Sequence, residues 1–137
     1  MVTRYCAIGT FAVQMKPQGE SAAVPESATP LGRMSLDKVF SGDMAGSSFG
    51  EMLTAVTPTA GSAGYVAIER FTGTVHGRSG SFVMQHSGTM SQRGGQHLAI
   101  KVVPDSGSGA LRGIEGEFLL KIEQGQHRYT LEYTLPA

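Results

Sequence analysis

The chain has 137 residues, with 11 Lys plus Arg against 11 Asp plus Glu and four histidines. That length fits one domain over 1–137, and the even charge balance gives no basic field for a phosphate backbone, so no nucleic-acid partner is expected. A lone cysteine, Cys6, cannot close an internal disulfide; the sequence opens without a basic n-region and long apolar run, and it holds no run of the roughly 20 apolar residues a membrane helix needs. A cytoplasmic protein with no membrane partner is the expectation.

Nineteen glycines, six prolines and no tryptophan favour short strands joined by many turns. Residues 3–15 alternate, with Tyr5, Ala7, Gly9, Phe11, Val13 and Met15 on one face, which predicts a first strand. It should stop at Pro17, because residues 17–30 turn to Ser, Ala, Glu and Pro without a period and read as a loop or lid. Residues 31–40 then turn at Gly42 and Asp43 into 44–56. Pairing Phe40 with Ala45 sets Leu36 opposite Phe49 and Met34 opposite Glu51, so Glu51 is expected among apolar neighbours.

A Pro and Gly turn over 57–62 leads into a hairpin over 64–90. With Arg78 and Ser79 as its loop, Val75 pairs with Phe82, Gly73 with Met84 and Phe71 with His86. One face then carries Tyr65, Ala67, Phe71, Val75, Phe82 and Met84, and the other Arg70, Thr72, Thr74, Gln85 and Ser87. Glu69 and His86 break the apolar face and lie diagonal to one another. Beyond Gly94 and Gly95, a strict two-residue loop would throw Leu98, Ile100 and Val102 outward, so one extra residue is expected as a bulge. Residues 105–109 read as a loop. In the last hairpin Gln124 and Gly125 form the turn, pairing Ile122 with His127, Leu120 with Tyr129 and Phe118 with Leu131.

These segments predict an all-β fold: an eight-stranded antiparallel β-barrel with the last hairpin closing on the first strand, or failing that a two-sheet sandwich. Val39, Met52 and Val56 are expected on the outer surface as an apolar patch suited to a second copy, so a homo-oligomer is the expected assembly.

Several motifs carry less than they suggest. The run from Gly46 to Gly50 fits G-x-S-x-G but sits mid-strand, without the turn and helix a nucleophile elbow needs. Histidines 76, 86, 97 and 127 form no short H-x-H pair, so no metal and no cofactor are expected. His76 and His97 fall at hairpin ends, and His127 either caps the last strand or lines a barrel mouth. Tyr65, Tyr129 and Tyr133 face inward. The constellation that stands out is Glu51, Glu69 and His86: if the turn over 57–62 aligns the apolar faces, the two carboxylates are neighbours, and one should hold a proton near neutral pH. Such a group could move protons, or could be a buried polar network that fixes register.

The blocks from Gly64 to Glu69, from Gly80 to His86 and from Val103 to Gly113 resemble an uncharacterised bacterial family that carries a domain-of-unknown-function label. The resemblance covers 31–133 and implies a barrel similar to allene oxide cyclase and the plant dirigent proteins, with a hydrophobic cavity and no settled activity. Three functions follow as expectations. The first is binding of a small, mainly apolar ligand, with Glu51, Glu69, His86, Tyr65, Phe71 and Met84 as the candidate site and no catalytic residue assigned. The second is a cyclase or isomerase using the Glu/Glu/His group. The third is a scaffold with a filled core.

Overall fold

The computed structural model describes residues 3–20 and 28–137. The described residues form nine strands: β1 Arg4–Glu20, β2 Leu31–Gly42, β3 Met44–Val56, β4 Ala63–Val75, β5 Arg78–Met90, β6 Gln96–Val102, β7 Ser108–Gly109, β8 Glu115–Glu123 and β9 Gln126–Thr134. All pairings are antiparallel. Each long strand pairs with the next in sequence and β9 pairs with β1, so eight strands close into a barrel. The two-residue β7 lies outside that ring and pairs only with β5. No helix is long and apolar enough to cross a membrane among the described residues.

The last hairpin has the expected register, Ile122 opposite His127 and Phe118 opposite Leu131. Its loop residues Gln124 and Gly125 both take positive φ, 51° and 77°, as a type I′ turn requires. The hairpin of β4 and β5 uses the same device two residues earlier than expected. His76 (φ 49°) and Gly77 (φ 78°) form its loop, so Phe71 pairs with Phe82 and Glu69 with Met84. The displacement is even, and every side chain keeps its expected face.

The β2 to β3 turn differs in the other way. Phe40 pairs with Gly46 rather than Ala45, and this odd displacement reverses the face of every β3 side chain. Glu51, Phe49 and Leu53 therefore point outward and are exposed, while Met44 and Ser48 are buried inside. Met52, expected outside, faces in; Val56 ends the same inward row, exposed at one rim; Val39 is outward, 62% exposed. The connection from β5 to β6 needs no bulge. A five-residue turn over 91–95 sets Met90 opposite Gln96 and keeps Ile100 and Val102 inside. The first strand runs past Pro17 to Glu20, with a register irregularity between those residues. The rest of the expected loop or lid over 17–30 lies, for 21–27, outside the described residues.

Packing divides the barrel into two halves. One end is filled by Phe40, Met44, Phe71, Phe82, Met84 and Tyr133, with edge-on and tilted aromatic contacts such as Phe40 against Phe71 at 5.2 Å. The segment after β6 is more than a loop, for it folds across that end and drives Leu111 and Ile114 completely into the core. Polar groups seal the rim. Ile8 N–H donates to Asp43 Oδ2 at 2.9 Å, His76 N–H donates to the Asp43 carbonyl at 2.9 Å, and His76 Nδ1 meets the Tyr133 hydroxyl at 2.5 Å. Tyr129 accepts from Met44 N–H at 2.8 Å and donates to the Ser41 carbonyl at 3.0 Å. Gly9 makes room for that hydroxyl, since a Cβ there would stand 2.5 Å from it. The other end is open.

Candidate functional site

Moving along the inner face from the filled end, the aromatic layers give way to four polar side chains. Lys38 on β2, Ser48 on β3, Glu69 on β4 and His86 on β5 meet at one level, and all are buried. Registers explain the meeting: Lys38 is directly opposite Ser48, and Glu69, opposite Gly50 and Met84, is diagonal to both Ser48 and His86. Gly50 leaves the space that this convergence needs. A Cβ at that position would stand 2.7 Å from the Glu69 Cα and Cβ and 2.3 Å from the Ile68 carbonyl oxygen.

Glu69 is the centre and is 0% exposed. Its Oε1 accepts from the Lys38 ammonium at 2.9 Å and lies 2.5 Å from His86 Nε2, while Oε2 accepts from the Ser48 hydroxyl. Burial pushes the carboxyl pKa up, but the His86 hydrogen bond, the Lys38 ammonium, the positive charge of a protonated His86 and the Ser48 hydroxyl together outweigh it and hold the group at about 2. Glu69 is thus a carboxylate and can only accept, so His86 must present its proton on Nε2. The expectation of two carboxylates sharing a proton is overturned on both counts: Glu51 is outside the barrel opposite Ile68, and Glu69 is ionised because His86 hydrogen-bonds to it and the Lys38 ammonium is buried against it.

Above this layer the barrel opens into a cavity of about 480 Å³. Its walls are apolar, with Val13, Leu36 and Leu120 among them, together with Met15, Met34, Met52 and Met90. Methionine is flexible and polarisable, so such walls can adapt to different apolar shapes. Lys38 and His86 form part of the floor, and the Lys38 ammonium lies 4.7 Å from the centroid of the Phe11 ring. Tyr65 lines the cavity, its ring 6.4 Å from that of His86 and lying over Gly88, where a Cβ would come within 2.6 Å of Tyr65 Cε1. Burial, then the charge of Glu69, raises the pKa of the Tyr65 phenol, which keeps its proton. His127 lines the same cavity rather than capping a strand, 5.1 Å from Phe11, and His97 stands at its rim. Phe71 and Met84, expected at the site, belong to the filled half and are fully buried beneath it.

The structure thus gathers Glu69, His86 and Tyr65, excludes Glu51, and adds Lys38 and Ser48. Lys38 was open to the alternation rule, since Met34, Leu36, Lys38 and Phe40 share one face of β2. Ser48 was not, because the one-residue slip at Asp43 hides it. Among the described residues, no three His, Cys, Asp or Glu side chains are grouped to hold a metal ion.

The sequence over 7–133 matches the family described as "Protein of unknown function (DUF3224)". The chain belongs to the DUF3224 family. A solved relative is the crystal structure, at 1.84 Å resolution, of a protein of unknown function from the DUF3224 family of Shewanella oneidensis MR-1. It is 43% identical, and the alignment covers 99% of this chain and 100% of that one with a TM-score of 0.88. No protein of curated function is detectably similar to this chain. The solved relative shares this fold, and no activity comes with DUF3224 membership.

Proposed function

We propose that this protein binds a small, mainly apolar molecule in the open half of its barrel, with Lys38, His86 and Tyr65 meeting the ligand's polar end. The observation that carries the reading is the division of the interior: one half is filled by aromatic and aliphatic side chains, and the other holds a cavity of about 480 Å³ over a polar floor. Binding sites commonly have that composition, with apolar walls and a few convergent polar groups in a volume of about 300–1,000 Å³. The same division weighs against a scaffold whose core is filled throughout. It also supports reading the barrel as allene-oxide-cyclase-like, an eight-stranded antiparallel wall around a hydrophobic pocket.

Native mass spectrometry of the freshly purified protein tests the proposal. The expected result is a bound small molecule, or uptake of the neutral apolar dye N-phenyl-1-naphthylamine, that is lost when Met52→Trp fills the cavity. A wild-type protein that carries nothing and takes up no dye would overturn it.

A further inference from the structure

The floor of the cavity contains one group whose chemistry is not used by the protein itself. Glu69 is saturated: Oε1 takes Lys38 and His86, and Oε2 takes Ser48. It is inaccessible and cannot itself meet a ligand. His86 is only half used. With Nε2 donating to the carboxylate, the neutral ring carries its lone pair on Nδ1. That atom has no hydrogen-bond partner among the described residues. No side-chain nitrogen or oxygen of a buried or half-buried described residue is both inaccessible and unpartnered. His86 Nδ1 is therefore reachable, and the space bordering His86 is the cavity. A buried carboxylate that fixes the tautomer and orientation of an imidazole, leaving its other nitrogen open to a pocket, is the arrangement of a general base with its orienting partner.

Lys38 supplies the complementary half. An ammonium has three N–H donors, of which one reaches Glu69 at 2.9 Å. The remaining donors have no acceptor among the described residues, and Lys38 lines the same floor. A base and a cationic donor held on one carboxylate oxygen can together remove a proton from carbon and receive the negative charge that results on oxygen.

We propose that, building on the ligand reading above, the site enolises a small apolar carbonyl compound. The proton leaves the α-carbon for His86 Nδ1. The C–H electron pair forms the C=C bond, and the carbonyl π pair moves to oxygen, where Lys38 holds the enolate. The imidazolium returns its proton to the same or a conjugated carbon, so the net change is exchange or isomerisation without any oxidant. His86 is the catalytic base, Lys38 the oxyanion donor and Glu69 a positioning residue.

The test uses 2-tetralone, an apolar ketone with acidic α-hydrogens, as probe, with N-phenyl-1-naphthylamine reporting occupancy of the cavity. In deuterated buffer, wild-type protein should speed α-deuteration of 2-tetralone above the buffer rate. His86→Gln keeps an N–H for Glu69 but cannot take a proton, and should lower the protein-dependent rate by at least about 10²-fold while still letting 2-tetralone displace the dye. Lys38→Met should lower the rate as well. Displacement of the dye with a deuteration rate unchanged in His86→Gln would overturn the base and leave the binding proposal standing. Dye binding that 2-tetralone cannot compete with would overturn the carbonyl substrate class alone. Absence of dye binding by a protein that also carries no small molecule would overturn both.

Discussion

At the scale of single residues, the ion pair of Lys38 and Glu69 is worth little as a pair and much as a constraint. Two desolvated charges recover in mutual attraction about what burial costs them, whereas removing one strands the other. Lys38→Met should therefore cost about 3–5 kcal/mol in urea unfolding, and adding Glu69→Gln to it should restore a large part. A Lys38→Met protein as stable as wild type would mean that Glu69 is not desolvated. The acid limb gives a second check. The pKa of Glu69 is lowered from 4.5 to about 2, so its contribution is complete above the unfolded-state pKa and lost as pH falls through the folded one. Linkage puts that contribution at roughly 3 kcal/mol. Urea midpoints measured from pH 5.5 to pH 2.5 should fall more steeply for wild type than for Glu69→Gln; parallel curves would refute the assignment. Alternation showed Glu69 and His86 as polar breaks in an apolar face, but the direction of the shift could not be read from them. It depends on the His86 hydrogen bond being made and joined by Lys38, whose long apolar stem lets a charge sit at an inward position without ending the strand.

At the scale of elements, the legible part of the fold was decided by turn chemistry. Gln124-Gly125 and His76-Gly77 share one form, a residue tolerant of positive φ followed by glycine. Reading the first correctly gave the β8 to β9 register outright; giving the second loop to Arg78 and Ser79 displaced β5 by an even step that left its faces intact. The Asp43 turn has no such signature. Gly42 is at φ 104°, and the side-chain and backbone bonds of Asp43 to Ile8 and His76, partners 35 and 33 positions away, hold the tight reversal in place. A register fixed by distant partners is invisible to local sequence rules, and its odd error moved Glu51 to the wrong face. These turns predict a contrast. Gly77→Ala, at φ 78°, should lose about 1–2 kcal/mol because a Cβ opposes the left-handed conformation, while Ser79→Ala, in a strand with an exposed side chain, should lose less than about 0.5 kcal/mol. Equal losses at the two sites would contradict the His76-Gly77 loop. Gly50→Ala should be worse than either by urea unfolding, at about 1–3 kcal/mol, because its Cβ would strike the Glu69 backbone.

At the scale of the whole molecule, the barrel is asymmetric along its axis, and that asymmetry should be visible in its energetics. The filled end holds Phe71, Phe82, Met84, Leu111 and Ile114 without accessible surface and seals its rim with Asp43, His76, Tyr129 and Tyr133. At the open end Met15, Val56, Met90 and Ile122 keep between 47% and 63% of their surface exposed. Apolar burial is the main favourable term, so cooperative stability should concentrate at the filled end, and the open end should exchange amide hydrogens through local opening. Phe82→Ala should accordingly cost about 3–5 kcal/mol, and Met90→Ala less than about 1 kcal/mol. Hydrogen exchange should protect the middle of β4 and β5 near Phe71 and Phe82 far more than their ends near Tyr65 and Met90, although one ladder pairs them throughout. An apolar ligand that enters the cavity supplies the missing packing at the open end alone. At about 100 times its dissociation constant it should add about 2.7 kcal/mol, with the new protection appearing around Leu36, Met52, Tyr65 and Met90 and little change near Leu111. Protection that is uniform along the barrel before ligand, or that rises equally at both ends after it, would mean that the two halves are not energetically distinct.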